Sequence, residues 1–263
     1  MKVLPLFTSA YSFKSILTLK EHKRRDNKGK TEEEIAAEKK AEEAAPDNIP
    51  TLCIRNKIKK LFLIEDNMAG FLQAHKACGE KLQLIYGLRV NIKEDIKIKD
   101  SDTSAKYIIF ANNSKGYLKL IEISTFASTE GFDKEPNLDF KNLKKLWSED
   151  LTLAIPFYDS FIFKNSYYFC NCIPDFSFCK PIFFIENNGL YFEDRIRDKV
   201  NKYASRNGNE VVEAQSIYYS QKKDFLSWLT YRCIQKRSTL EVPNMDHCCS
   251  DQFCVESWKE KNA

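Results

Sequence analysis

Apolar and polar positions along the chain switch between two periods, and the switching predicts alternating strands and helices. The stretch "LFLIEDNMAGFLQAHKACGEKLQLIYGLRV", residues 61–90, shows the change within thirty residues. An apolar run over 60–64 predicts a strand, helical spacing over 69–79 a helix, and 82–90 a second strand with Gly87 inside it. Residues 3–7 form a short apolar run that leaves into the loop Thr8-Ser9-Ala10-Tyr11-Ser12. Further strands are expected at 107–111, 151–156, 160–163, 181–186 and 211–219. Helices are expected at 117–126, 141–147, 193–205 and 222–235, the last carrying Phe225, Trp228, Leu229 and Ile234. Strands alternating with helices argue for α/β architecture with a parallel sheet or barrel. No internal repeat is visible. In the turn after the second strand, Asn67 and Gly70 have a structural reason to be there, since such turns call for positive φ and close backbone approach.

One segment breaks the pattern. "KEHKRRDNKGKTEEEIAAEKKAEEAAPDN", residues 20–48, contains Ile35 as its single large apolar residue. Thr31-Glu32-Glu33-Glu34 has the spacing of a capping box, and the Ala/Glu/Lys run after it has high helix propensity. Residues 20–50 are therefore expected to be a charged helical insertion, exposed or flexible, within a single domain spanning 1–263. A charged partner-binding arm is the functional alternative.

Composition narrows the classes. Hydrophobic residues make up 43% of the 263 residues and aromatics 13%, enough for a substantial core. Basic and acidic residues, 41 against 37, nearly cancel, which argues against a nucleic-acid-binding face. No apolar run is long enough to span a bilayer and no signal peptide is apparent, so a cytoplasmic location is expected. Nine cysteines in irregular spacing read as free thiols. Cys170-x-Cys172 with Cys179, and His247-Cys248-Cys249 with Cys254, could be imagined as zinc ligands. Their spacing is irregular, however, and Cys170 and Cys172 are expected on one face of a strand. The aromatic stretch 156–178 reads as core or protein interface rather than a stacking platform for single-stranded nucleic acid, because Lys164 is its single cation and Asp159 and Asp175 oppose it. Three histidines are present, His22, His75 and His247.

The order of several segments resembles the PHP (polymerase and histidinol phosphatase) domain of C-family bacterial replicative DNA polymerases, the alpha subunit of DNA polymerase III. These are "TSAYS", "IEDNMAG" followed by a helix and "IYGLRV", "YIIFANNSKGYLKLIEIST", "VVEAQSIYY", "DFLSWLTYRCIQKRSTL" and "DQFCVESW". The resemblance is loose over 130–205 and treats 20–50 as an insertion. It implies a distorted seven-stranded PHP-type (β/α) barrel whose active members hold a metal cluster through His, Asp and Glu at the strand ends. Here the His-x-His of the first strand is replaced by Leu6 and Thr8, and the Asp-His of the second by Ile64 and Glu65. The Glu of the third strand becomes Arg89, and the Asp and His of the late strand become Ser216 and Tyr218. A one-residue shift puts Asp66 at the second His position.

The expected protein is thus a catalytically inactive PHP-like structural or interaction subunit, or N-terminal part, of a C-family polymerase in DNA replication. It has no catalytic residue, metal or other cofactor. Its expected partner is the palm-containing polymerase chain or other replisome proteins; DNA is contacted only indirectly and no membrane is involved. Two alternatives stay open. One is a metal-dependent phosphoesterase or 3′–5′ exonuclease rebuilt on Glu65, Asp66, Asp159 and Asp175. The other is an anion-binding regulator using the degenerate pocket of Thr8, Glu65, Asp66, Arg89, Ser216 and Tyr218.

Overall fold

A computed structural model describes residues 2–20, 31–43, 48–99, 103–241 and 248–263. His22, His247 and parts of the charged segment lie outside the described residues. In chain order the elements are β1 (Leu4–Phe7), α1 (Glu32–Glu43), α2 (Ile49–Arg55), β2 (Lys60–Glu65), α3 (Phe71–Cys78), β3 (Gln83–Lys93), β4 (Ala105–Ala111) and α4 (Ser114–Ser128). There follow β5 (Phe132–Asp133), β6 (Glu135–Asp139), α5 (Phe140–Leu146), β7 (Leu151–Ile155), α6 (Phe161–Tyr167), β8 (Ile182–Ile185), α7 (Glu193–Asn207), β9 (Glu210–Ile217), α8 (Phe225–Lys236) and α9 (Val255–Asn262).

Seven strands close on themselves in the order β2-β1-β9-β8-β7-β4-β3, and β3 pairs back with β2. All neighbours are parallel except β4, which runs antiparallel to both β3 and β7. β6 and β5 extend from the far end of β3 as a small flap. The family-type barrel expected from the sequence is therefore present, with one inverted strand.

The period-2 alternation of the strands divides their side chains between two cores. Leu6, Ile64, Ile108, Phe110, Ala154, Phe184 and Ala214 fill the barrel interior. The intervening residues, among them Phe7, Leu63, Leu88, Ile109, Leu153, Phe183 and Ile217, pack outward beneath the helices. Both faces are covered, which is why these strands read as continuous apolar runs. Gly87 belongs to the inward set: a Cβ there would sit 2.7 Å from the Phe110 ring, so the aromatic fills the space that glycine leaves.

Three expectations change. Residues 160–163 are not a strand but open α6. The Ser160 hydroxyl accepts from the Phe163 amide, an N-cap that the apolar run conceals, since short apolar runs carry no period of their own. Residues 168–181 are irregular, so Cys170 and Cys172 are not on a strand; all nine cysteines are free thiols. Gly70 has φ −79° rather than a positive value; its role is close approach, a Cβ there lying 3.1 Å from the Tyr11 ring. Asn67 works through hydrogen bonds, donating to the Tyr11 carbonyl and accepting from the Ala69 amide.

The aromatic stretch contributes Phe157, Phe161 and Phe163 to the core, while Phe169 is exposed. Thr31 and Glu34 form the expected reciprocal cap on α1, and residues 32–37 are exposed apart from half-buried Ile35. No helix among the described residues is long and apolar enough to cross a membrane.

Candidate functional site: a cationic groove at the barrel rim

Above the apolar interior layer, the inward positions of the barrel turn polar. β2 delivers Asp66 just past its end, β3 delivers Arg89, and β9 delivers Ser216 and then Tyr218. Because β4 runs the other way, its beginning rather than its end reaches this rim and brings Lys106 there. Lys14 arrives from the turn after β1, where Phe13 adopts φ 54° and reverses the chain. Together with α6 and α8 these groups line an open groove of about 570 Å³. A smaller cavity of about 40 Å³ shares Lys14, Arg89, Tyr158, Asp159 and Tyr218 with it and reaches down to Leu6, Ile64, Ile108, Glu186 and Ser216.

The centre of the rim is a three-membered ion cluster. Arg89 Nη1 lies 3.1 Å from Asp66 Oδ1, and Lys14 Nζ lies 3.3 Å from Asp66 Oδ2. Burial alone would raise the Asp66 carboxyl, but Lys14 and Arg89 overcome it and hold the group at about 2. Burial, reinforced by the nearby Arg89 charge, brings the Lys14 ammonium down to about 8 despite Asp66 and Asp159. Asp159, held at φ 59°, pairs with Lys164 at 3.8 Å.

The other expected residues divide. Tyr218 lines the groove, and its ring stacks on Trp228 at 5.5 Å with the planes 4° apart. Ser216 lies deeper, where its amide and hydroxyl each donate to Glu186 at 2.8 Å. Thr8 is buried at the end of β1 and lines neither cavity. Glu65 faces away from the groove. Alternation sends it outward, where its two oxygens accept from the Ser9 amide, at 3.0 Å, and from the Ser12 hydroxyl. That hydroxyl accepts in turn from the Asp66 amide at 2.7 Å, so the turn after β1 is locked onto the end of β2. Burial pushes the Glu65 carboxyl up to about 7 against these hydrogen bonds.

Lys14, Lys106 and Glu186 were not among the expected residues. Lys14 stands two positions after the serine of the "TSAYS" loop and could have been suspected. Lys106 could not, since its place depends on the inverted direction of β4. Glu186 is buried and accepts from Ser216 and from Asn188, and burial raises its pKa against those donors.

These residues do not fit a metal cluster. Leu6 and Ile64, which stand where the resemblance puts ligands, are packed in the apolar interior. Arg89 puts a fixed positive charge beside the carboxylate that a dication would need. Glu65 points the other way, and Asp175, bonded to the Ser177 amide in an irregular loop, is outside the groove. Among the described residues, no three His, Cys, Asp or Glu side chains are grouped so as to hold a metal ion.

The family model of the PHP domain matches residues 33–164, half of the chain, and the chain belongs to that family. The matched span ends inside α6, whereas β1, β8 and β9, which close the barrel, lie outside it. DNA polymerase III subunit alpha of Thermus aquaticus is similar to it at 26% identity over an alignment of 165 residues that covers 59% of this chain. The aligned part covers 13% of that polymerase subunit, so the chain spans a small fraction of its relative's length.

Proposed function

We propose that this chain is a catalytically silent PHP domain that serves a C-family replicative DNA polymerase as a structural and interaction module. The observation that carries the reading is the rim itself. Leu6, Ile64 and Arg89 stand at ligand positions, and the remaining carboxylates are dispersed or already paired with cations. The similarity to a polymerase alpha subunit supports the choice of partner. A rebuilt phosphoesterase site on Glu65, Asp66, Asp159 and Asp175 has little geometric support, because Glu65 and Asp175 do not face the groove.

The test has two arms. Tagged chain isolated from its own host during replication is expected to bring down a palm-containing polymerase chain at near-equal stoichiometry. Purified chain with added manganese or zinc is expected to hydrolyse neither a phosphomonoester nor a DNA 3′ end. Metal-dependent hydrolysis abolished by Asp66→Ala, or the absence of any polymerase chain from the isolate, would refute the reading.

A further inference from the structure

The outer flank of the barrel carries aromatic and cationic side chains that the rim does not use. Two buried rings anchor it: Phe192 packs on Phe163 with centroids 5.5 Å apart, and both support residues nearer the surface. Tyr167 and Tyr191 pack on Phe192 at 5.7 and 5.3 Å, and Tyr168 packs on Phe163 at 6.1 Å. Phe169 and Tyr191 are each 85% exposed, more than any other large apolar side chain among the described residues. Phe169 is also held at φ 55°, left-handed backbone that a bulky side chain rarely adopts. Its turn is pinned: Asn165 Oδ1 accepts from the Cys172 amide at 2.7 Å, and Asn165 Nδ2 donates to the Cys172 carbonyl at 2.8 Å. A solvent-facing ring on a pinned, strained backbone points to a contact made outside the chain.

Beside these rings runs α7. Arg195, Lys199, Lys202 and Arg206 recur at helical spacing on one face, over about 16 Å, roughly one cation per turn. That face is turned toward α6. The Arg195 guanidinium lies 5.8 Å from the centre of the Tyr167 ring, and Lys199 Nζ donates to the Ser166 hydroxyl at 2.7 Å. None of the four cations forms an ion pair among the described residues. Opposing carboxylates are few. Asp194 is held by Arg197 at 2.9 Å, Asp159 by Lys164 at 3.8 Å, and Glu193 is buried, which leaves Asp198 on this helix. Within residues 156–178 the charges oppose a stacking platform; α7, outside that stretch, reverses the balance where it packs against α6.

A row of evenly spaced cations matches a repeating anion, and the two exposed rings match flat groups carried along it. An acidic polypeptide offers the charge without the flat groups. A duplex has its bases already stacked on one another and cannot use the rings.

We propose that this flank binds single-stranded nucleic acid, with phosphates along Arg195, Lys199, Lys202 and Arg206 and bases stacked on Tyr191 and Phe169. The ligand lies outside the barrel, away from the rim groove, and no polymerase partner is required. The inference therefore stands or falls apart from the proposed function.

The experiment is fluorescence anisotropy of the whole chain with end-labelled oligothymidylate and oligouridylate of about 12 nucleotides, a length such sites occupy, with chelator present. At least one single strand is expected to bind, with a log–log salt slope of about −3 for four phosphate contacts. A duplex of equal length should bind about tenfold more weakly or worse, for want of stacking. Phe169→Ala and Tyr191→Ala should each weaken the single strand by about tenfold with the salt slope unchanged, the loss of one stacked base. The double variant Arg195→Gln with Lys199→Gln should instead reduce the slope by about 1.4, the share of two phosphates. Melting curves establish that each variant is folded.

No binding of either single strand overturns the proposal, as does equal binding of the duplex or an affinity unchanged in both ring variants. Displacement of the labelled strand by polyglutamate as readily as by unlabelled strand would assign the surface to an acidic polypeptide and overturn it too.

Discussion

Glu65 shows how much one residue's orientation decides. It sits at the end of a strand aimed at the rim, yet the strand's two-residue period turns it outward into the Ser9–Ser12 turn, where it is fully buried. Its carboxyl is pushed up to about 7, above its ordinary value near 4.5. Between those values the folded protein keeps a proton that the unfolded chain has lost, so stability should fall as pH rises through that window. The fall could reach about 3 kcal/mol if the whole shift is expressed. Urea denaturation at pH 4.5 and 7 measures it. Glu65→Gln, whose amide cannot ionise and whose carbonyl can still accept from the Ser9 amide, should flatten the dependence. A variant with the wild-type slope would show that some other group titrates there.

At the scale of elements, caps decide where the period is silent. Ser160 turns an aromatic run into α6, just as Asn113 caps α4 through the Gly116 amide and Asp139 caps α5 through the Asn142 amide. Phe161, Ile162 and Phe163 could line a strand equally well; the hydroxyl that accepts from the Phe163 amide selects the helix. Ser160→Ala should cost about 1 kcal/mol in denaturant melts and leave the rest of the fold in place. An unchanged midpoint would mean that packing of Phe161 and Phe163 alone holds α6. Irregular structure over 168–181 likewise leaves Cys170 and Cys172 without a common face.

For the whole molecule, closure depends on segments far apart in sequence. β1 is clasped between β2 and β9, and α9 is fastened beneath it. Trp258 Nε1 donates to the Val3 carbonyl at 2.8 Å, and Asn262 Oδ1 accepts from the Lys2 and Val3 amides. Trp258 is almost fully buried, so Trp258→Ala should cost about 3–5 kcal/mol, measured as a lowered denaturation midpoint. A change below about 1 kcal/mol would mean that α9 is not part of the closure. The same clasp keeps the turn after β1, and with it Lys14, over the rim.

The amino-acid sequence by itself determined most strands and helices, because buried strands and amphipathic helices write their periods directly into the apolar positions. The resemblance to the PHP domain, read from the order of short segments, led to the expectation that Leu6, Ile64 and Arg89 stand where metal-binding side chains would be, and it needed no tertiary structure. Three facts were left to the tertiary structure. The direction of β4 brings Lys106 to the rim, the outward turn of Glu65 removes it from the groove, and the fold of the chain after β1 sets Lys14 beside Arg89 on Asp66. Each is a juxtaposition of residues distant in sequence, fixed by pairing register and burial rather than by local propensity. The charge of the groove is therefore visible only in the closed barrel, for the chain as a whole is nearly neutral.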